Sequence, residues 1–331
     1  MHPDRDLVER FRADLDGLIE SGTAVGVAVS GGPDSLALLL LAAAERPGLI
    51  KAATVDHGLR PESGKEAADV AALCAKIEVP HRILHLKWPT RPKSGLQKKA
   101  REARYRMLGD WARDCGLNVV LTGHQLDDQA ETFVMRIARG VGVNGLAGMR
   151  GASPLPGHPD IRLLRPLLAW RRSELDSICA AAGVVPADDP SNQDRKFERV
   201  RVRKALASSD LFDPEAIARS ATVLGQADAA LEWAADRAWG ESARASDAEI
   251  VIRIEGIPAE IRRRMVRRAV RLLASEGPAN DLRGRELDQL LHSLRGRGRA
   301  TLRGVLCDGG DGETWSFIPA PNRTRRSANP R

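Results

Sequence analysis

Cysteine is scarce in this chain: its four copies, Cys74, Cys115, Cys179 and Cys307, stand far apart and no Cys-x-x-Cys occurs. That excludes a zinc framework, an iron–sulfur ligand set and a sulfur-transfer pair, and leaves buried thiols as the expectation. Long apolar runs are missing too, none approaching the roughly 20 residues a membrane helix requires. The opening residues, Met1-His2-Pro3-Asp4-Arg5-Asp6, are charged and carry no apolar stretch, so no secretory signal is expected. No internal repeat is present. These absences place the chain in the cytoplasm, away from membranes, as an expectation. At 331 residues, 43% hydrophobic and 29% charged, it has room for two cores. Its formal charge of +7 favours a polyanionic partner.

One further absence is more telling. Ser30-Gly31-Gly32-Pro33-Asp34-Ser35 follows the β-prone run Val25-Gly26-Val27-Ala28-Val29 and precedes a leucine-rich helix from Leu36. Strand, glycine turn and helix N-terminus together make a nest of backbone N–H groups for an anion. A kinase-type phosphate loop would place a lysine here, and this one has none. A carboxylate, Asp34, stands in the loop instead. A carboxylate beside phosphates requires a divalent cation between them, which suits pyrophosphate held as its magnesium complex with Asp34 as the metal ligand.

Apolar runs at 24–29, 49–55, 81–86, 118–123 and 161–165 alternate with helical patterns near 35–46, 63–78, 95–115, 125–139 and 171–182. This alternation predicts an α/β fold with a doubly wound parallel sheet and right-handed crossovers. Ligands of such sheets sit at the C-terminal strand ends. The glycine loop, Val55-Asp56-His57-Gly58-Leu59-Arg60 and the stretch from Thr122 to Thr132 all fall there. Residues 140–160, rich in Gly and Pro, read as a mobile loop beside that edge. After residue 208 the pattern changes. Long helical periods at 214–240 and 258–275, with β-prone pieces near 249–254 and 301–306, predict a smaller, mainly helical C-terminal domain. The expected domains are 1–208, 209–321 and a basic, disordered tail at 322–331.

His124, Asp128 and Glu131 stand at i, i+4 and i+7, the spacing of one helix face. An acidic face beside a triphosphate requires a cation, either magnesium or an ammonium group. Zinc finds only two nitrogens, from His57 and His124. The helix around Gln97 to Arg113 carries Lys98, Lys99, Arg101, Arg104 and Arg106. Part of this charge pairs internally, as Lys98 with Glu102, and Arg101 and Arg104 are candidates for phosphate contact. Arg262, Arg263, Arg264, Arg267, Arg268 and Arg271 form a second stripe with no acid following until Glu276, which reads as a phosphate-contact surface.

The glycine hexapeptide resembles the signature of the ATP pyrophosphatases. Val55 to Arg60, Thr122-Gly123-His124-Gln125-Leu126-Asp127-Asp128-Gln129-Ala130-Glu131-Thr132, Arg139-Gly140, Gly145-Leu146, Gly148-Met149, Arg165-Pro166-Leu167-Leu168 and Asp189-Pro190-Ser191-Asn192 narrow it. In order and spacing they resemble the tRNA(Ile)-lysidine synthetases, most strongly over residues 22–205. Two positions depart from that pattern: Gln125 stands where the family has a second histidine, and Val200 follows Arg199 where it has Asn. Arg201 and Arg203 keep the arginine spacing.

The resemblance implies a Rossmann-like, adenine nucleotide α-hydrolase-like catalytic domain and an RNA-binding C-terminal domain. It implies ATP and Mg2+, L-lysine and a tRNA(Ile) with a CAU anticodon as reactants, and it leaves a homodimer possible. It makes Asp34, His124, Asp128 and Glu131 the catalytic set. Ser30, Gly31, Gly32, Pro33, Asp34, Ser35, His57 and Arg60 become the ATP site, and Asp128 and Glu131 the lysine site. Arg101, Arg104, Arg199, Arg201, Arg203, Arg263, Arg267 and Arg271 become RNA contacts. A tRNA thiolase of the same class would need a reactive cysteine. A non-catalytic adenine-nucleotide sensor would need neither the acidic residues nor two basic stripes.

Overall fold

A computed structural model describes residues 3–58, 62–88, 95–187, 194, 196–274, 282 and 284–321. The chain divides into two units at 224/225. Expected features at Arg60, Asp189 to Asn192 and 322–331 lie outside the described residues.

The first unit is built on a six-stranded sheet in the order β3-β2-β1-β4-β6-β5. Its strands are β1 (Val25–Ala28), β2 (Ile50–Asp56), β3 (His81–His85), β4 (Val119–Thr122), β5 (Ala152–Leu155) and β6 (His158–Leu164). β3, β2, β1, β4 and β6 run parallel, and β5 pairs antiparallel with β6. The chain builds outward from β1 to β2 and β3, then returns to lay β4 on the other side. The order thus reverses at the β1/β4 boundary, where a crevice opens at the strand ends.

Helices cover both faces because alternate strand residues are apolar on both. Val25 and Val27 join the core formed with α1 (Arg5–Asp16), α2 (Pro33–Glu45), α3 (Ser63–Lys76) and α7 (Arg172–Ala181). Ala28, Ala53 and Val120 face α4 (Leu96–Asp114), which contributes Tyr105, Leu108 and Trp111. Leu36 to Ala42 of α2 are all buried, as a helix that is apolar all round should be. Gly26 serves close packing: a Cβ there would lie 2.7 Å from the Trp111 ring.

The stretch 140–160 corrects the loop expectation. It holds α6 (Val143–Leu146), β5 and the start of β6, and it is tied down. Gln129 Nε2 donates to Met149 O at 2.8 Å, Met149 N donates to Gln129 Oε1 at 2.6 Å, and Arg136 donates to Gly145 O at 2.6 Å. β5 escapes a hydropathy reading because it is an edge strand, the position where Pro154 is tolerated.

Residues 209–224 belong to the first unit. α9 (Pro214–Ser242) starts where Arg171 donates to Glu215 at 2.9 Å and Asp213 at 3.2 Å. The second unit is helical, as expected, but also holds a five-stranded antiparallel sheet in the order β7-β8-β11-β10-β9. Its strands are β7 (Ala243–Ala245), β8 (Ile250–Arg253), β9 (Arg299–Leu302), β10 (Val305–Asp308) and β11 (Thr314–Pro319). The β-prone piece at 301–306 is the tip of the β9–β10 hairpin. It turns through Arg303 and Gly304, both at positive φ, as a two-residue hairpin turn demands.

α10 (Ala259–Leu273) and α11 (Gly284–Arg295) supply Met265, Val266, Val270, Leu287 and Leu291 to the same core as Trp315 and Phe317. The arginines of α10 correct a second expectation. Acids on neighbouring elements pair with them: Asp288 with Arg263, Asp236 with Arg268 at 2.7 Å, and Asp228 and Glu232 with the buried Arg264, which Glu260 of α10 itself also pairs. Arg271 is also engaged, whereas Arg267 makes no ion pair among the described residues. Neutralising Arg263, Arg267 and Arg271 together should therefore flatten the dependence of log affinity for a polyanion such as RNA on log salt by about one phosphate contact, roughly 0.9 in slope, not three. Filter binding across a salt series reads this directly.

Candidate active site

A cavity of about 740 Å³ opens at the β1/β4 boundary within the first unit. In the glycine loop beside it Gly31 takes φ +84°, a conformation open to glycine, and its carbonyl accepts from Ala187 N at 2.9 Å. Ser35 Oγ donates to Gly32 O at 2.9 Å and accepts from Ser30 N at 3.1 Å, so the loop is pre-shaped. Gly32 caps α2 without a side-chain hydrogen bond; Pro33 has no N–H, and Ser35 N and Leu36 N donate to Gly32 O at 3.2 and 3.1 Å, which leaves Asp34 N as the first-turn donor for a ligand. Gly123 closes the far side: a Cβ there would meet Asp34 O at 2.8 Å.

Asp34 stands in the first turn of α2 with Oδ1 buried and without a hydrogen-bond partner. Burial pushes its carboxyl up to about 7. Arg172 pulls it back, and Asp128 and Asp176 push it further up. Among the described residues no cluster of three His, Cys, Asp or Glu could hold a metal. A single orphaned carboxylate fits a cation shared with substrate phosphates, the usual magnesium arrangement, and does not fit a metal caged by protein.

α5 (Leu126–Ile137) begins two residues after His124, which the spacing rule placed on its face. Gln125 is its N-cap: Gln125 Oε1 accepts from Asp127 N at 2.5 Å, and Gln125 N donates to Asp128 Oδ2 at 3.2 Å. His124 therefore precedes the helix, and only Asp128 and Glu131 share its face. His124 lines the cavity, its Nδ1 3.0 Å from Thr122 Oγ1. Burial, reinforced by Arg165, Arg101 and Arg104, pushes its pKa down to about 3, so the ring is neutral. The capping role also accounts for glutamine at 125, which is wholly buried and absent from the cavity wall.

α8 (Glu198–Ala207) brings Arg199 and Arg203 to the acids. Arg199 donates to Asp128 Oδ1 at 2.8 Å and Glu131 Oε2 at 2.5 Å, and Arg203 Nε donates to Glu131 Oε1 at 2.7 Å. These two expected RNA contacts line the cavity as partners of the carboxylates, while Arg201 is exposed and bonded to Lys196 O. Val200 is buried and lies off the cavity, so an apolar residue suits its place. Burial raises Asp128 above the usual carboxylate range despite Arg199. Burial acts the same way on Glu131, but its hydrogen bonds from Arg203 and Arg199 outweigh it and hold that carboxyl low.

Arg101 and Arg104 line the opposite wall over Tyr105, 5.0 and 5.6 Å from its ring centre. His57 also lines the cavity, with Nδ1 buried and unpartnered and its pKa lowered by burial and by Arg104. Arg172 was invisible to sequence reasoning. It is the first residue of α7, on the cavity wall, and α7 is fixed by Asp127 Oδ2 accepting from Arg172 N at 2.9 Å and Trp170 O accepting from Leu126 N at 2.9 Å. The first turns of α2, α5 and α7 thus meet at one cavity through Asp34, Asp128 and Arg172. Cys74, Cys179 and Cys307 are buried, and burial pushes their thiols up to about 12, 11 and 12, so none is a ready thiolate.

A lysine-free glycine loop at a sheet's switch point, with its own carboxylate and an acidic helix face opposite, defines an ATP pyrophosphatase of the PP-loop class. A profile described as the PP-loop domain matches residues 6–209. The tRNA(Ile)-lysidine synthase of Novosphingobium aromaticivorans is 47% identical over 312 residues, covering 94% of this chain and 93% of its own. That of Zymomonas mobilis is 38% identical, covering 95% and 94%. The chain belongs to the tRNA(Ile)-lysidine synthase family. A U34-tRNA thiolase from Methanococcus maripaludis shares the fold, with a TM-score of 0.57 at 18% identity over 67% of this chain and 79% of that one.

Proposed function

We propose that the protein joins the side-chain amine of L-lysine to C2 of the wobble cytidine in the CAU anticodon of tRNA(Ile), converting ATP to AMP and pyrophosphate. The observation that carries this reading is the cavity itself. One wall offers the glycine loop with the unpartnered Asp34 oxygen, and the other offers Asp128 and a neutral His124, with Glu131 buried behind Arg199 and Arg203.

Cytosine O2 is a hopeless leaving group until it bonds to the α-phosphorus of ATP; the adenylate then leaves as AMP. The loop's N–H groups hold the departing pyrophosphate where charge develops. Asp34 would hold magnesium, which supplies charge neutralisation between carboxylate and phosphates. Lysine must attack as the free amine although its ordinary pKa is near 10.4. Of the two acids, Asp128 is the better proton acceptor. Burial raises its pKa, whereas Glu131 is sealed under two arginines that hold it ionised. The target base must leave its stack to enter, as an anticodon-loop nucleotide can.

Incubating the protein with ATP, radiolabelled lysine and an unmodified tRNA(Ile) transcript should put label into RNA, with AMP and pyrophosphate released in equal amounts. A transcript with uridine at the wobble position should take none. Absence of label from the CAU transcript, with ATP binding intact, refutes the reading.

A further inference from the structure

The glycine loop lacks the lysine that phosphate loops of the kinase type use, yet a triphosphate entering it carries several negative charges. We propose that Arg172 is a catalytic residue that supplies this missing cation from α7, its guanidinium binding the β- and γ-phosphates of ATP and then the pyrophosphate. The proposal rests on the reading above only in that the loop receives the triphosphate of ATP.

Three arginines face the acids Asp128 and Glu131, and two suffice. Asp128 Oδ1 and Oδ2 accept from Arg199 and from Gln125 N; Glu131 Oε1 and Oε2 accept from Arg203 and Arg199. Every carboxylate oxygen therefore has a donor without Arg172. Arg172 stands back at 3.9 Å from Asp128 and 3.8 Å from Glu131, beyond hydrogen-bond length. Its side chain makes no hydrogen bond among the described residues, and its Nε is buried and unpartnered.

A guanidinium with five donors and no acceptor, on the wall of a cavity, lacks a ligand. Asp34 Oδ1, on the same cavity, is a buried carboxylate oxygen that also lacks a partner. Two unsatisfied groups of opposite sign on one cavity fit the two halves of a magnesium-phosphate ligand. The backbone of Arg172 is held to α5 through Asp127, and α7 is held to the loop through Cys179 Sγ donating to Pro33 O at 3.4 Å. The guanidinium thus has a fixed root beside the site and an end held only by ion pairs at 3.8 and 3.9 Å. In the reaction the bond from the α-phosphorus to the α,β-bridging oxygen breaks. Its electron pair stays on that oxygen, and Arg172 donates hydrogen bonds to the pyrophosphate without giving up a proton.

Calorimetric titration of the full chain with magnesium pyrophosphate, ATP and AMP, without RNA or lysine, tests this. Arg172→Gln should weaken pyrophosphate and ATP by about tenfold or more, the scale of a lost charged hydrogen bond, and leave AMP within about twofold. Arg172→Lys should recover part of the loss, since charge returns without the fork. Unchanged pyrophosphate affinity in Arg172→Gln overturns the proposal, and so does an equal loss of AMP affinity in both variants. If Arg172→Gln fails to fold, Arg172→Lys decides: pyrophosphate weakened relative to AMP supports the role, and parental affinity for both overturns it. Failure here leaves the lysine-ligation reading standing, and failure of lysine incorporation leaves these affinities interpretable.

Discussion

Asp34→Asn should lower pyrophosphate–ATP exchange by at least about a hundredfold while leaving tRNA binding close to the parent's. The substitution keeps the shape of the side chain and removes the charge that would hold magnesium against the phosphates, a loss comparable to removing one transition-state charge contact. Near-parental exchange would remove Asp34 from the metal role. The carboxyl also sets a pH dependence, because burial pushes it up to about 7 in the metal-free chain. Metal must then displace a proton below that pH. The magnesium concentration for half-maximal exchange should rise about tenfold per unit of acidification below pH 7 and level off above it.

Stability has the opposite sign from the usual carboxylate. The folded pKa lies above the ordinary 3.8, so the folded chain binds the proton more tightly. Stability therefore falls as pH rises from about 4 to 7. Asp34→Asn should raise the melting temperature of metal-free protein at pH 8 and leave it unchanged near pH 3. A loss at pH 8 would contradict the burial cost assigned to this group.

Asp128→Asn and Glu131→Gln should both spare formation of adenylated RNA and block its transfer to lysine, but they should part company in stability. Glu131 is almost fully buried and holds two arginines, so removing its charge strands Arg203 and leaves Arg199 to Asp128 alone. A loss on the order of 3 kcal/mol, or roughly 6 to 12 °C in melting temperature, is expected for Glu131→Gln. That stabilisation is complete above the ordinary carboxyl value of 4.5 and fades as pH falls through the lowered folded value. Asp128→Asn removes a carboxylate that burial already disfavours as an anion, and should cost less. Rapid-quench detection of the adenylated intermediate together with thermal melts separates catalysis from folding. Parental lysine transfer by both variants would dismiss the acidic wall as a lysine site.

The central strands were legible because strands buried on both faces read as unbroken apolar runs, and the motifs following β1, β2 and β4 fixed the working edge of the sheet. β5 was hidden by Pro154 and by lying at an edge. α8 was hidden by composition: arginines crowd it and only Val200 and Leu206 are buried, so little apolar period survives. The helix-face argument for His124 failed on a local detail, because Gln125 takes the cap and the helix starts after it. The stripe on α10 misled for a different reason. Its acidic partners, Asp228, Glu232, Asp236 and Asp288, are about 25 to 36 residues away, beyond any window that a charge pattern can see. Arg172 carried no signal at all, since its importance lies in what other arginines have already satisfied.

Three helices begin at the cavity, and each contributes the positive end of its backbone dipole, roughly half an elementary charge within the first turn. That field belongs to peptide groups. It does not titrate, and no single side-chain substitution erases it. It helps the cavity hold Asp34 and Asp128, which stand in the first turns of α2 and α5. It also means that attraction for a polyphosphate should persist across the neutral range, while side chains such as Asp34 add the pH sensitivity on top. The same peptide dipoles leave the arginines free to specialise, two closing the acidic pair and a third turned toward the ligand.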